Sequence, residues 1–318
     1  MPVMELRLTS SVRERHSEIP AELTSALARS GIEAVAAADG TITFPGAAGD
    51  VQLKLTDDGA TLEVRGPDAV DEHNEAGWLA HKVLAPLVEA LTTDRVDDWI
   101  TDRWARRPTG GAAREGYRDP THHRPSFGAV LSALQLQPDD VLLEIGCGGG
   151  AFLEEALRSG CRAAAVDHSP EMVELAREVH ADAIADGRLQ IIEAPAEHLP
   201  FADHSFTCAA MMQVFFFLDA PRALAECRRV LRPGGRVAVF TVSEAARGTP
   251  AAPEPMASRG HVYSDEELVR LARDAGFPVA SVTHPDLARH ARAAGLAADV
   301  VELFAQATDA GQLLLARG

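Results

Sequence analysis

The sequence predicts a doubly wound, largely parallel α/β sheet of seven strands, preceded by a small α+β domain. Three observations carry that expectation. From residue 126 to 318, seven short apolar segments alternate with segments of helical spacing, the pattern of a parallel sheet wound with helices. The first of those strands runs directly into Gly146-Cys147-Gly148-Gly149-Gly150, and the second ends on Asp167, 21 residues after Gly146. Residues 1–92 instead combine short alternating strands with flanking helical patterns and contain no glycine-rich loop.

At 318 residues the chain is long enough for two domains, since one domain takes roughly 100–200 residues. In the first, residues 1–92, Leu23 and Leu27 lie four apart within Pro20–Ser30 and Gly31 follows, which predicts a short helix with a stop. Three strands are expected next, at Thr41–Phe44, Val51–Leu55 and Thr61–Arg65, with Asp57-Asp58-Gly59 as the hairpin turn between the last two. Asp68–Leu91 returns to helical spacing. Residues 93–125 read as a connector, with a helix over Asp94–Arg107 and a break at Pro108–Gly111. Arg103, Arg106, Arg107, Arg114 and Arg118 make it the one locally basic stretch, either a solvated face or a patch for an anionic group. In residues 126–318 the expected strands are Val141–Ile145, Ala163–Asp167, Leu189–Ala194, Thr207–Met211, Arg236–Thr241, Pro278–Thr283 and Gln312–Ala316. The Ala- and Pro-rich piece Ala245–Arg259 reads as a mobile loop able to act as a lid.

Composition removes several classes. The formal net charge is −17, with 47 acidic against 30 basic residues, which opposes a phosphate backbone and so nucleic-acid binding. No apolar run approaches the roughly 20 residues of a membrane helix. Glu5 and Arg7 interrupt the first apolar stretch, a poor secretory signal, so a cytoplasmic protein is expected. The four cysteines, at 147, 161, 208 and 227, form no Cys-x-x-Cys pair, which argues against a disulfide framework and against a metal site.

The glycine loop carries the chemistry. Glycines let the backbone turn tightly and approach a ligand, and the following helix offers free N–H groups. A carboxylate at the end of the second strand suits a ribose diol. Those features alone also satisfy a dinucleotide fingerprint. Glu144, two residues before the glycines, favours instead a ligand that carries an ammonium group.

The pattern continues along the chain. Val141-Leu142-Leu143-Glu144-Ile145-Gly146-Cys147-Gly148-Gly149-Gly150, Ala165-Val166-Asp167-His168-Ser169-Pro170-Glu171-Met172, Glu193-Ala194-Pro195-Ala196-Glu197-His198-Leu199-Pro200-Phe201 and Ala225–Gly235 follow in order. Together they resemble the class I S-adenosylmethionine (SAM) methyltransferases, near their small-molecule type 11 branch, over residues ~115–318. The resemblance implies a Rossmann-like seven-stranded methyltransferase sheet. It implies SAM as cofactor, S-adenosylhomocysteine as its product, and a small organic molecule as methyl acceptor. It also implies a homodimer as one assembly, with the first domain able to supply an interface. The first domain itself carries no motif that ties it to a family.

Carried over residue by residue, the resemblance places Glu144, Gly146, Cys147 and Gly148 beside the methionine part of SAM and Asp167 on the ribose. His168 and Met172 are expected on the adenine, with Ala196, Glu197, Met211 and Gln213 completing the cofactor contacts. Ser169 with Pro170 after it predicts the start of the helix that carries Met172. Three positions depart from the family pattern: Pro195 and Thr207 stand where aspartates are common, and Met211–Phe217 replaces a stretch that often holds histidine. A base is needed only where the acceptor keeps its proton. Candidates are His122, His123, His261, Tyr263 and Tyr117, and the sequence does not choose among them. Phe215–Phe217 reads either as core or as an aromatic acceptor pocket. Two further readings stay open: a methyltransferase acting on a peptide or carrier protein recognised by residues 1–92, and a non-enzymatic SAM-binding protein. A nicotinamide oxidoreductase leaves the third and fourth blocks unexplained.

Overall fold

The computed structural model describes residues 3–7, 21, 24, 28, 33–45, 50–56, 59–65, 105, 106, 108, 117–247, 252, 256–307 and 309–318. The chain divides into two compact units, residues 1–105 with 109–113, and residues 106–108 with 114–318. The expected helix over Asp68–Leu91, most of that over Asp94–Arg107 and the Asp57-Asp58 turn residues lie outside the described residues.

The first unit holds an antiparallel sheet of β1 (Val3–Arg7), β2 (Val35–Ala36), β3 (Thr41–Pro45), β4 (Asp50–Thr56) and β5 (Gly59–Arg65), in the order β1-β5-β4-β3-β2. Ile42 pairs with Leu53 across β3 and β4, and both are buried with Phe44. This is the alternation that the sequence shows. Three strands were expected, and five are present. β1 pairs with β5 over more than 50 residues of chain, a non-local partner that local pattern does not reveal.

The second unit is a seven-stranded sheet of β6 (Val141–Ile145), β7 (Arg162–Asp167), β8 (Leu189–Glu193), β9 (Phe206–Met212), β10 (Leu231–Val242), β11 (Val279–Thr283) and β12 (Gly311–Arg317). Its order is β11-β12-β10-β9-β6-β7-β8, and only β12 runs antiparallel to its neighbours. Each expected strand is found here, and the central ones, covered on both faces, read as continuous apolar runs. The helices are α1 (Arg124–Leu134), α2 (Ala151–Ala156), α3 (Pro170–Val179), α4 (Ala181–Ala185), α5 (Ala220–Val230), α6 (Met256–Arg259), α7 (Asp265–Asp274), α8 (Leu287–Ala293) and α9 (Ala298–Gln306). One core layer packs Leu224, Cys227 and Leu268 on the sheet face that shows Val237, Val239 and Leu314. The other packs Val130, Leu153 and Val173 on the face that shows Leu142, Ala165 and Ala238.

Two details revise the sequence reading. The stretch expected as a mobile loop is partly built: Glu244–Ala246 forms a 3-10 turn, Arg247 bridges Ala252, and α6 follows. Ala246, Ala252 and Ala257 are buried there and serve as core. The turn expected before the fifth strand, Leu231–Gly235, is the start of β10 itself, with a register shift between Leu231 and Arg236. The four cysteines are buried and unbridged. Among the described residues no helix is long and apolar enough to cross a membrane.

At the opposite end of the sheet from the glycine loop, Thr207 shows what its departure from the family pattern does. Its hydroxyl donates to Asp140 at 2.6 Å and accepts from the Val141 amide at 2.9 Å, so it fixes the start of β6. Arg236 closes the network with two bonds to the Asp140 carboxylate, at 2.7 and 3.2 Å. Burial pushes the Asp140 pKa up, but the bonds from Arg236, Thr207 and the Gln137 amide outweigh it and hold the pKa below its usual value. A lowered folded pKa contributes stability above the ordinary carboxylate range and loses it as pH falls through the folded value. Asp140→Asn is expected to cost about 1.5 kcal/mol at neutral pH. The loss should shrink toward pH 3 in denaturant unfolding curves.

Candidate active site

The site is assembled at the carboxyl ends of β6, β7 and β9, where ligands bind in open α/β sheets. β6 delivers Glu144 into the interior, 1% exposed, and its Oε2 has no hydrogen-bond partner among the described residues. Such an atom costs about 1–3 kcal/mol unless a ligand or water supplies a donor. Burial, and then the charge of Asp167, push the Glu144 carboxyl well above its usual range. The chain leaves β6 through Gly146 at φ +76° and Gly148 at φ +51°. A Cβ on Gly146 would lie 2.8 Å from Val214, and one on Gly148 would lie 2.8 Å from the Tyr117 ring. Gly146→Ala is therefore expected to cost about 1.5 kcal/mol through left-handed strain and overlap. Adding Val214→Ala should return part of that loss in thermal melts.

Asp167 ends β7 and is held by two backbone donors. The Gly148 amide donates to Oδ2 and the Ser169 amide to Oδ1, both at 2.8 Å. Its burial raises its pKa, while those two amides favour the anion. Glu144 has no comparable donors on Oε2, so of the two neighbouring carboxyls Asp167 keeps the charge and Glu144 the proton. Cys147 lies beside both, and burial holds its thiol protonated. Ser169 caps α3 by accepting from the Met172 amide, with Pro170 in the first turn. Met172 is fully buried. His168 is exposed, and its Nε2 bonds the Arg106 carbonyl, a contact 62 residues distant that the sequence reading missed.

The Tyr117 side chain packs on Gly148 and Gly149. Burial and the Asp167 charge raise its pKa, so it stays a neutral hydroxyl and is no base. Tyr263 is 9% exposed in the core beside Phe215, and burial, then the Asp219 and Glu267 charges, raise its pKa. His261 is exposed and lies 4.3 Å from the Tyr263 ring between centroids, tied by its amide to the Phe216 carbonyl at 2.8 Å. His122 is exposed on the loop before α1. His123 is exposed by residue surface, yet the protein packed around its ring, and then the neighbouring His122, lower its pKa, so it is neutral at neutral pH.

Gln213 follows β9 in a left-handed conformation, φ +53°, its amide bonded to the Phe240 carbonyl at 2.9 Å. Met211 is buried in β9 and Ala196 is buried after β8, while Glu197 accepts the Asp219 amide at 3.0 Å ahead of α5. Phe215 is core, whereas Phe216 and Phe217 are half-buried and meet edge to face at 4.4 Å. The structure thus gathers Glu144, the glycine loop, Cys147, Asp167 and Tyr117. His122, His123 and His261 are all exposed.

The sheet order, with its antiparallel β12, and the acid-flanked glycine loop define a class I methyltransferase fold. Residues 143–239 match a family model described as a methyltransferase domain. The chain is 37% identical over 122 residues to a malonyl-[acyl-carrier protein] O-methyltransferase of Pectobacterium atrosepticum, covering 38% of this chain and 46% of that protein. It is 32% identical over 113 residues to a ubiquinone biosynthesis O-methyltransferase of Xanthomonas euvesicatoria, covering 35% of this chain and 45% of that protein. The chain spans about half the length of the curated relatives it matches. The fold is also that of a SAM dependent methyltransferase from Aquifex aeolicus, with a TM-score of 0.50 at 19% identity, covering 65% of this chain and 97% of that one.

The residues present fit SAM. The partnerless Glu144 oxygen asks for a donor such as an ammonium group. A carboxylate has about four acceptor positions, and two donors reach Asp167, which leaves capacity for a diol.

Proposed function

We propose that the protein is a SAM-dependent methyltransferase that acts on a small organic acceptor and releases S-adenosylhomocysteine. The observation that carries this reading is Glu144: a buried carboxyl oxygen without a partner, at the head of a glycine loop and beside an amide-held Asp167. A pyrophosphate gains nothing from a carboxyl there, and an amino acid's ammonium does.

When bound, SAM supplies an electrophilic methyl group on a sulfonium. Glu144 holds the ammonium end and Asp167 the ribose diol. The glycine loop gives both ends close backbone approach, and Tyr117 covers the loop. His123, its pKa lowered so that it is neutral at neutral pH, is the residue best suited to take a proton from the acceptor at a ring nitrogen. Phe216 and Phe217 offer half-buried ring faces to an apolar acceptor.

A second reading is favoured by one observation, the likeness to a methyltransferase named for malonyl-[acyl-carrier protein]. The first unit would then recognise the carrier or pair two copies of the chain. Incubating the full chain with methyl-labelled SAM and cell extract separates the two. Label in small organic products supports the first reading, and label on a carrier protein supports the second. Absence of transfer to either contradicts both.

A further inference from the structure

Arg106 makes three contacts that the proposed chemistry does not use. Its carbonyl bonds His168, the residue after Asp167 at the tip of β7. Its guanidinium lies 5.6 Å from the centroid of the Phe217 ring, in the turn after β9. Its Nη2 donates to the Arg259 carbonyl at 3.2 Å. Two residues on, the Pro108 carbonyl accepts the Ser169 hydroxyl at 2.8 Å.

The sheet order converts these contacts into a position. β9 and β7 flank β6 on either side. A residue tied both to the tip of β7 and to the turn after β9 therefore crosses the end of β6, where Glu144 and the glycine loop lie. The span is two strand spacings, roughly 10 Å, which an arginine covers when its main chain and side chain are used together. Pro108 is buried and Ser169 is fully buried, so one end of this crossing is firmly seated. The other end, at the half-buried Phe217, lies nearer the surface.

We infer that Arg106 is a positioning residue, a bar across the mouth of the cofactor site, latched on one side by His168 and on the other by Phe217 and the Arg259 carbonyl. This rests on the methyltransferase reading of the site. The bar must lift for a cofactor-sized ligand to leave, so breaking either latch speeds release more than it slows entry. His168 thereby acquires a role other than the adenine contact expected of it, and its ring works as an N–H donor.

The test uses S-adenosylhomocysteine as the probe and measures its dissociation from the full chain by stopped flow. His168→Leu and Arg106→Met are each expected to release it about tenfold faster, with association changed by less than about threefold and the melting temperature held. His168→Gln retains an N–H donor and is expected to stay within about twofold of the native rate. Native release rates in both His168→Leu and Arg106→Met overturn the proposal. So does a His168→Gln variant as fast as His168→Leu. If the native chain fails to bind S-adenosylhomocysteine at all, the cofactor reading falls first and the bar falls with it.

Discussion

Replacing Asp167 with alanine is expected to weaken SAM binding at least about a hundredfold, about 3 kcal/mol. The carboxylate does two jobs at once. It ties the glycine loop to β7 through the Gly148 amide, and it anchors the start of α3 through the Ser169 amide. Each bond is charge-assisted and buried, the kind worth about 1.5–3 kcal/mol. Alanine leaves both amides without that acceptor and removes the acceptors proposed for the ribose. Calorimetric titration measures the loss. An unchanged affinity would show that the diol is held elsewhere and that Asp167 is only a brace for the loop. The brace alone should be visible as faster hydrogen exchange at the Gly148 amide.

Glu144→Gln is expected to weaken SAM binding about thirtyfold, about 2 kcal/mol, because it removes the charge proposed to meet the ammonium while keeping shape. It should also change how stability depends on pH in the ligand-free protein. The folded pKa of Glu144 is raised, chiefly by burial and then by Asp167. The folded state therefore binds this proton more tightly than the unfolded one. Stability is full below the ordinary carboxylate value and falls as pH rises from there toward the raised folded value. Glutamine carries no such proton, so the slope should flatten in urea titrations across pH 4.5–8. Equal slopes in native and variant would mean that Glu144 is ionised in the folded chain. That result would leave no Glu144 proton to be released when SAM binds.

The legible parts of this molecule are those whose causes are local. The Ser169-Pro170 start of α3 and the Ser264–Glu267 capping box of α7 were readable because a cap and its partners sit within three residues. The central strands of the second unit were readable because burial on both faces leaves an unbroken apolar run. The glycine loop was readable because a left-handed turn selects glycine at Gly146 and Gly148. What stayed hidden is what distant chain supplies. Thr207 looked like a missing aspartate, and its hydroxyl proves to set the start of β6 from 66 residues away. Tyr263 looked like a proton acceptor until the core around it was known. Arg106 looked like one of several solvated arginines, and its carbonyl proves to meet His168.

The most direct test of the cofactor assignment is a calorimetric titration of the full chain with SAM, repeated in buffers of different ionisation enthalpy. The structure predicts binding at one site with net release of a proton at pH values above the ordinary carboxylate range, as Glu144 ionises against the ammonium. It also predicts that Glu144→Gln abolishes the release. Binding of a nicotinamide dinucleotide in place of SAM, or SAM binding whose heat is independent of the buffer, would contradict it.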